Sequence, residues 1–224
     1  MSAVRDAARG DLFSAAEDGP RAVETMADGA VLLRGFAAAD AARLVAAVNR
    51  IAAAAPFRHM VTPGGFTMSV AMTNCGGAGW VTDRRGYRYD ACDPETGKSW
   101  PDMPSLFEGL AARAAAAAGF AGFAPDSCLI NRYVPGARLT LHQDRNERDF
   151  AAPIVSVSLG LPATFLFGGP RRADRPKRLR LASGDVAVWG GPARLTFHGV
   201  DVLADGEHPL TGRARLNLTF RRAL

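Results

Sequence analysis

The sequence predicts an α+β, mainly β fold, an antiparallel barrel or double-sheet jelly roll with supporting helices. Three observations predict it. From about residue 127 onward the apolar residues recur with period two. The runs that carry this pattern are short, and glycine and proline punctuate them. Many short strands with regular turns mark sandwiches and barrels. Two earlier alanine-rich stretches have helical spacing instead and are expected to cover one sheet.

The elements follow in order. Residues 1 to about 28 are mixed in composition, with weak helical character, and are expected to lie over the surface. Ala30–Phe36 reads as a strand. Asp40 stands where a helix N-cap would, and Ala41–Ile51 reads as an amphipathic helix whose stripe is Leu44, Val45, Val48 and Ile51. Phe57–Pro101 is a long stretch rich in glycine, proline and aromatics, the composition of a functional lid. Its Trp80, Tyr87, Tyr89 and Trp100 lie among Arg84, Arg85 and Arg88, a mixture suited to stacking bases and touching phosphates. An ordinary hairpin with packed aromatics has the same composition. Pro104–Gly119 reads as a second helix, with Ser105 as its cap and Leu106, Phe107 and Leu110 facing inward. Strands are then expected at 127–134, closed by a Pro135-Gly136 turn, and at 138–142, 154–161, 164–167, 177–181, 185–189, 195–202 and 213–221. No internal repeat or linker divides the chain, so residues 1–224 read as one domain.

Composition narrows the class. With 48% hydrophobic and 22% charged residues the chain can bury a sizeable core. No run approaches a membrane span, and the first 25 residues lack a basic start followed by an apolar core, so a cytoplasmic protein is expected. Cys75, Cys92 and Cys128 are an odd number without C-x-x-C spacing, which argues against a zinc site or disulfide framework and for a reducing compartment. The net charge is +5, and nearly all the positive charge is arginine, since Lys98 and Lys177 are the only lysines. The planar fork of arginine suits phosphate and carboxylate. The modest excess permits a nucleic-acid partner without establishing one.

The chemistry centres on Leu139-Thr-Leu-His-Gln-Asp144. Alternate residues of an extended chain point the same way, so His142 and Asp144 project together. One imidazole and one carboxylate make two thirds of a facial triad for non-haem Fe(II). The chain has only four histidines, and His198, in a strand-like apolar run, suits the third ligand; His59 and His208 are not expected to bind metal. A bare H-x-D is more often a lone histidine than a ligand pair. The last strand, Arg213–Arg221, changes the odds. Leu216, Leu218 and Phe220 share one face; Arg215, Asn217, Thr219 and Arg221 share the other. If that polar face is exposed, it is only solvated surface. If it lines the barrel, unpaired arginine charge there is costly, and a dicarboxylate would relieve it. Asn131 and Tyr133 share a face of their own strand and offer further polar contacts.

Several runs closely resemble the AlkB family of Fe(II)/2-oxoglutarate-dependent nucleic-acid demethylases. They are Met60-Val-Thr-Pro-Gly-Gly, Thr67-Met-Ser-Val-Ala-Met-Thr-Asn-Cys-Gly, Leu129-Ile-Asn-Arg-Tyr, Leu141-His-Gln-Asp, Pro153-Ile-Val-Ser-Val-Ser-Leu-Gly-Leu-Pro-Ala, Val188-Trp-Gly-Gly and Asn217-Leu-Thr-Phe-Arg. The resemblance covers about Ala30 to Arg222. It implies a double-stranded β-helix (jelly roll) with a nucleotide-recognition lid at 57–101. It implies Fe(II) on His142, Asp144 and His198, with O2 as co-reactant. The cosubstrate 2-oxoglutarate is implied on Arg215 through its distal carboxylate and on Arg221 through the other, with Asn131, Tyr133 and Asn217 assisting. Substrate contacts are implied at Trp80, which would stack on the damaged base, at Tyr87, which would touch phosphate, and at Met72, Asn146 and Arg172.

The implied activity is repair of alkylated single- or double-stranded DNA, with RNA as a further candidate. 1-Methyladenine and 3-methylcytosine would be demethylated with release of formaldehyde and succinate by a monomer that needs no membrane. One departure stands out. The family has an aspartate where this chain has Asn146, a loss for cationic bases unless Glu147 supplies the carboxylate. Three rivals share some of these features. An oxygenase of the same fold acting on an amino acid, protein or lipid would not need the lid's aromatics and arginines. A zinc hydrolase would not need the two arginines. A non-catalytic nucleic-acid binder would not need the triad.

Overall fold

The computed structural model describes residues 22–224, so the reading of residues 1–21 lies outside it. The chain opens with strands β1 (Val23–Ala27) and β2 (Ala30–Leu33). Helix α1 (Ala41–Ala54) follows. Strands β3 (Arg58–Val61), β4 (Thr67–Gly76), β5 (Gly79–Asp83) and β6 (Gly86–Asp90) precede helix α2 (Ser105–Ala117). The remainder is β: β7 (Ser127–Tyr133), β8 (Leu139–His142), β9 (Ile154–Gly160), β10 (Ala163–Phe167), β11 (Lys177–Leu181), β12 (Val186–Trp189), β13 (His198–Val200) and β14 (Arg215–Arg221).

These strands form an eight-stranded sheet, ordered β1-β2-β12-β9-β14-β7-β4-β3, a four-stranded sheet, β11-β10-β13-β8, and the separate hairpin β5-β6. All pairings are antiparallel. The jelly roll is thus as expected, with helices on one sheet only. Leu44, Val48 and Ile51 of α1 and Phe107 and Leu110 of α2 share a core with Val155, Val157, Leu216, Leu218 and Phe220. A second core, with Phe165, Phe167, Trp189, Tyr133 and Met72, draws its residues from both sheets.

Several local expectations are corrected. Residues 23–27 are an edge strand rather than weakly helical chain, because Val23, Glu24 and Thr25 pair with Leu33, Leu32 and Val31. The 57–101 stretch is no loose loop. Four strands lie in it, and β4 is built into the large sheet against β7, with Met72 opposite Asn131. Asp40 holds the cap position of α1 without a side-chain cap bond; its carboxylate instead accepts from Arg43 and Arg113. Pro104 caps α2, and Ser105 is already helical. The strand expected over 195–202 shrinks to His198–Val200 because a 3-10 turn at Gly191–Ala193 leads into it.

Two glycines permit close approaches that shape the site. A Cβ on Gly199 would come 2.6 Å from the Leu139 carbonyl oxygen, so its absence lets β13 lie against β8. A Cβ on Gly79 would come 2.4 Å from the Trp100 ring, so glycine here lets β5 pack against that indole.

Candidate metal and cosubstrate site

His142 and His198 are register partners across β8 and β13, which brings their rings to 4.4 Å between centroids. Asp144 lies just beyond the end of β8. Its Oδ1 is 3.8 Å from His142 Nε2 and its Oδ2 is 3.8 Å from His198 Nε2. Among the described residues this is the one cluster of three such ligand atoms, all within 4.8 Å of one another. His59 instead bonds the Met68 carbonyl through Nδ1, and His208 Nδ1 accepts from the Leu210 amide.

The tautomers suit a metal. Nδ1 of His142 lies 2.9 Å from the Thr140 carbonyl and Nδ1 of His198 lies 3.0 Å from that of Thr196. A carbonyl accepts only, so each Nδ1 carries the proton and each Nε2 turns its lone pair toward Asp144. Burial, and then the neighbouring His142, push the His198 pKa down to about 4. Burial would raise that of Asp144, but Arg221, His198 and His142 outweigh it and hold the carboxyl well below the usual range. His198 is therefore a neutral imidazole beside an ionised Asp144 carboxylate at neutral pH.

A stability prediction follows from His198. Unfolding returns it to its ordinary pKa of 6.5, so the unfolded chain binds the proton more readily. Its contribution is fully present above pH 6.5 and is lost as pH falls toward 4. The metal-free protein is expected to lose on the order of 3 kcal/mol across that window, read from urea midpoints at several pH values. His198→Gln should flatten the profile, and an unchanged slope would refute the assignment.

The polar face of β14 lies inside. Arg215, Asn217, Thr219 and Arg221 are all buried, with Arg215 only 1% exposed. Arg221 is paired: its Nε and Nη2 donate to Asp144 Oδ2 at 2.9 and 2.7 Å. Arg215 has no carboxylate. Its Nη2 donates to Ser158 Oγ at 2.9 Å, and its guanidinium sits 4.9 Å from the centroid of the Tyr133 ring. Arg215 Nε and Nη1, Arg221 Nη1 and Asn131 Oδ1 are buried without a protein partner. Burial lowers the Arg215 pKa, and Tyr133 alone pulls it back. Buried guanidinium donors left without a partner call for an anion. A 2-oxoglutarate carboxylate fits, and the adjacent His–Asp–His cluster fits the iron it would chelate.

The other expected anchors differ in role. Asn217 is occupied within the sheet: Nδ2 donates to Ser156 Oγ and the Val157 carbonyl, and Oδ1 accepts from Asn131 Nδ2 and Thr219 Oγ1. Asn131 is thereby oriented so that it leaves an acceptor unpaired. Ser156 and Ser158, not among the expected anchors, also line this interior; their alternation with Val155, Val157 and Leu159 marks a polar face on β9.

The expected substrate residues fall into three groups. Trp80, half-buried on β5, stacks on the exposed Tyr87 of β6 at 5.7 Å and 23°. Trp80 Nε1 donates to Asn146 Oδ1 at 3.5 Å, and Asn146 Nδ2 donates to the Tyr87 carbonyl at 3.5 Å, so these three meet two residues beyond Asp144. Met72 is 1% exposed and forms part of the inner core. Arg172 is exposed on the β10–β11 turn, beyond the row Lys177, Phe167, His198 and His142 that register lines up across the small sheet. Glu147 does not reach toward a base, contrary to the alternative left open by the sequence. Its side chain is 1% exposed and faces Arg194 and Arg221. Two arginines of the 57–101 stretch are also spent locally, since Arg85 and Arg88 both pair with Asp83.

Comparison with known proteins agrees with this geometry. The family model for the 2OG-Fe(II) oxygenase superfamily matches residues 29–221. The alpha-ketoglutarate-dependent dioxygenase AlkB of Escherichia coli is 59% identical over 213 residues, 95% of this chain and 97% of that protein. The protein named tRNA demethylase abh1 of Schizosaccharomyces pombe is 31% identical over 161 residues, 64% of this chain and 52% of its own length. The solved structure of OsALKBH1 superposes with a TM-score of 0.80 at 30% identity, covering 90% of this chain and all of that one. Fe(II), 2-oxoglutarate and O2 are accordingly what the enzyme uses, His142, Asp144 and His198 could hold the iron, and the chain belongs to the AlkB family of 2-oxoglutarate-dependent dioxygenases.

Proposed function

We propose that this dioxygenase repairs alkylated DNA, and RNA of similar form, by oxidative demethylation of 1-methyladenine and 3-methylcytosine. The observation that carries the reading is the Trp80–Tyr87 stack fastened to Asn146, which sets an aromatic face beside Asp144. A base flipped from its strand finds there a stacking surface and polar groups for its edge. Methylation at N1 of adenine or N3 of cytosine blocks pairing and lowers the cost of flipping. Relatives named for nucleic-acid demethylation support the same substrate class.

The chain's own residues bind and orient. His142, Asp144 and His198 hold Fe(II); Arg215 and the free Arg221 Nη1 hold the two carboxylates of 2-oxoglutarate; Trp80 holds the base. The chemistry supplied by these reactants sends one atom of O2 into succinate, with loss of CO2, and the other into the methyl group, whose hydroxymethyl product leaves as formaldehyde. The reading assigns the whole chain 1–224 to one dioxygenase domain with a lid at 57–101. It makes the enzyme a monomer of the cytoplasm, a reducing setting that suits its three free thiols. No described helix is long and apolar enough to cross a membrane.

The test is turnover of a single-stranded oligonucleotide carrying 1-methyladenine, with and without 2-oxoglutarate. Formaldehyde in step with succinate and restored adenine is expected; succinate without base repair would overturn the reading. A second prediction concerns selectivity. Asn146→Asp should raise the kcat/KM ratio for 3-methylcytosine over neutral 3-methylthymine, because a carboxylate would then meet the cationic base. Each 1.4 kcal/mol that survives desolvation is about tenfold. An unchanged ratio would mean that pocket shape around Trp80 sets the preference.

A further inference from the structure

Behind the metal cluster lies a second set of buried charges that the oxidation itself does not use. Glu147 Oε1 accepts from Tyr89 Oη at 2.6 Å and lies 3.4 Å from Arg221 Nε, while Oε2 accepts from Arg194 Nη2 at 3.1 Å. Arg194 is 4% exposed. Its Nη1 donates to the Asp144 backbone carbonyl at 2.8 Å and its Nε to that of Ala152 at 3.0 Å. Asp144 is therefore gripped twice, by its backbone through Arg194 and by its carboxylate through Arg221. Glu147 touches both arginines and completes a balance of two cations and two anions.

A fifth member of this set comes from the lid. Tyr89 is on β6, and its register partner across the hairpin is Trp80. Direct partners put their side chains on the same face of a hairpin. The Trp80 and Tyr89 side chains therefore share one face of the hairpin, and the Tyr89 hydroxyl reaches on to Glu147.

We infer that Tyr89 and Glu147 are positioning residues that couple the seating of a base against Trp80 to the geometry of Asp144. The inference rests on the base-binding role proposed above for the lid. Glu147 cannot swing away, because removing its charge leaves two buried arginines sharing one carboxylate. Tyr89 is the strut between the two. Its hydrogen bond ties a hairpin that belongs to neither large sheet to the loop that carries a metal ligand.

The test uses the full chain loaded with Fe(II) and 2-oxoglutarate without oxygen, read by the visible charge-transfer absorption of that complex. Addition of the 1-methyladenine oligonucleotide should shift the band in the unsubstituted protein. In Tyr89→Phe the band should form at the same 2-oxoglutarate concentration, but its response to the oligonucleotide should be lost. With oxygen, kcat should fall about 10- to 100-fold while the oligonucleotide KM changes little. Glu147→Gln should weaken Fe(II) binding by a similar factor in a metal titration, with Glu147→Asp recovering part of it. Should Glu147→Gln fail to fold, Tyr89→Phe decides alone. A normal shift and normal kcat in Tyr89→Phe would overturn the inference. A band that no methylated oligonucleotide shifts, even in the unsubstituted protein, would instead overturn the base-binding reading and take the inference with it.

Discussion

His142→Ala is expected to abolish turnover while the protein stays folded. His142 is the most accessible of the three candidate ligands, with about a third of its side chain exposed, so its loss opens little of the core. Removing Nε2 leaves one imidazole and one carboxylate, too few to hold Fe(II) in a facial site. His198→Ala and Asp144→Ala should be equally inactive, and both should also destabilise. His198 is buried against Trp189 at 4.9 Å, and Asp144 neutralises Arg221. Iron content after dialysis, formaldehyde release and thermal unfolding separate the two effects. Near-full activity in His142→Ala would remove it from the metal site.

Arg215→Met should raise the 2-oxoglutarate concentration needed for half-maximal turnover by about a hundredfold or more. Leaving one partner of a buried charge pair alone costs about 3–5 kcal/mol. The same variant should be no less stable than the parent when 2-oxoglutarate is absent. Arg215 is then a buried cation with only Ser158 and the Tyr133 ring for company, and a methionine of similar length fits without that cost. Unfolding midpoints with and without 2-oxoglutarate should therefore diverge in the parent and coincide in the variant. A variant that 2-oxoglutarate still stabilises to the full extent would move the anchor elsewhere, with Arg221 as the remaining candidate.

Much of the site was legible in the chain because it rests on local spacing. His142 and Asp144 stand two apart on extended backbone, and the scarcity of histidine left His198 as the natural third ligand. The alternation of β14 sorted Leu216, Leu218 and Phe220 from Arg215, Asn217, Thr219 and Arg221, and the structure keeps that division intact. The same alternation on β9 marks Ser156 and Ser158 as a polar face. The aromatics of the segment around Trp80 suggest a lid, but nothing in its pattern shows that β4 continues the large sheet. Its glycines and prolines obscured a period that pairing with β7 supplies.

By itself the sequence determined which residues share a face, since period two is a property of the extended backbone alone. Only the tertiary structure decided which face is covered. The four-stranded sheet, with Phe165 and Phe167, packs over the polar side of β14, turning what could have been a solvated row of arginines into a dry interior that demands an anion. It likewise decided that Glu147 looks inward to Arg194, Arg221 and Tyr89 rather than outward to a base. Those partners stand 47, 74 and 58 residues away in the chain, a distance at which no local pattern can say that two charges will meet.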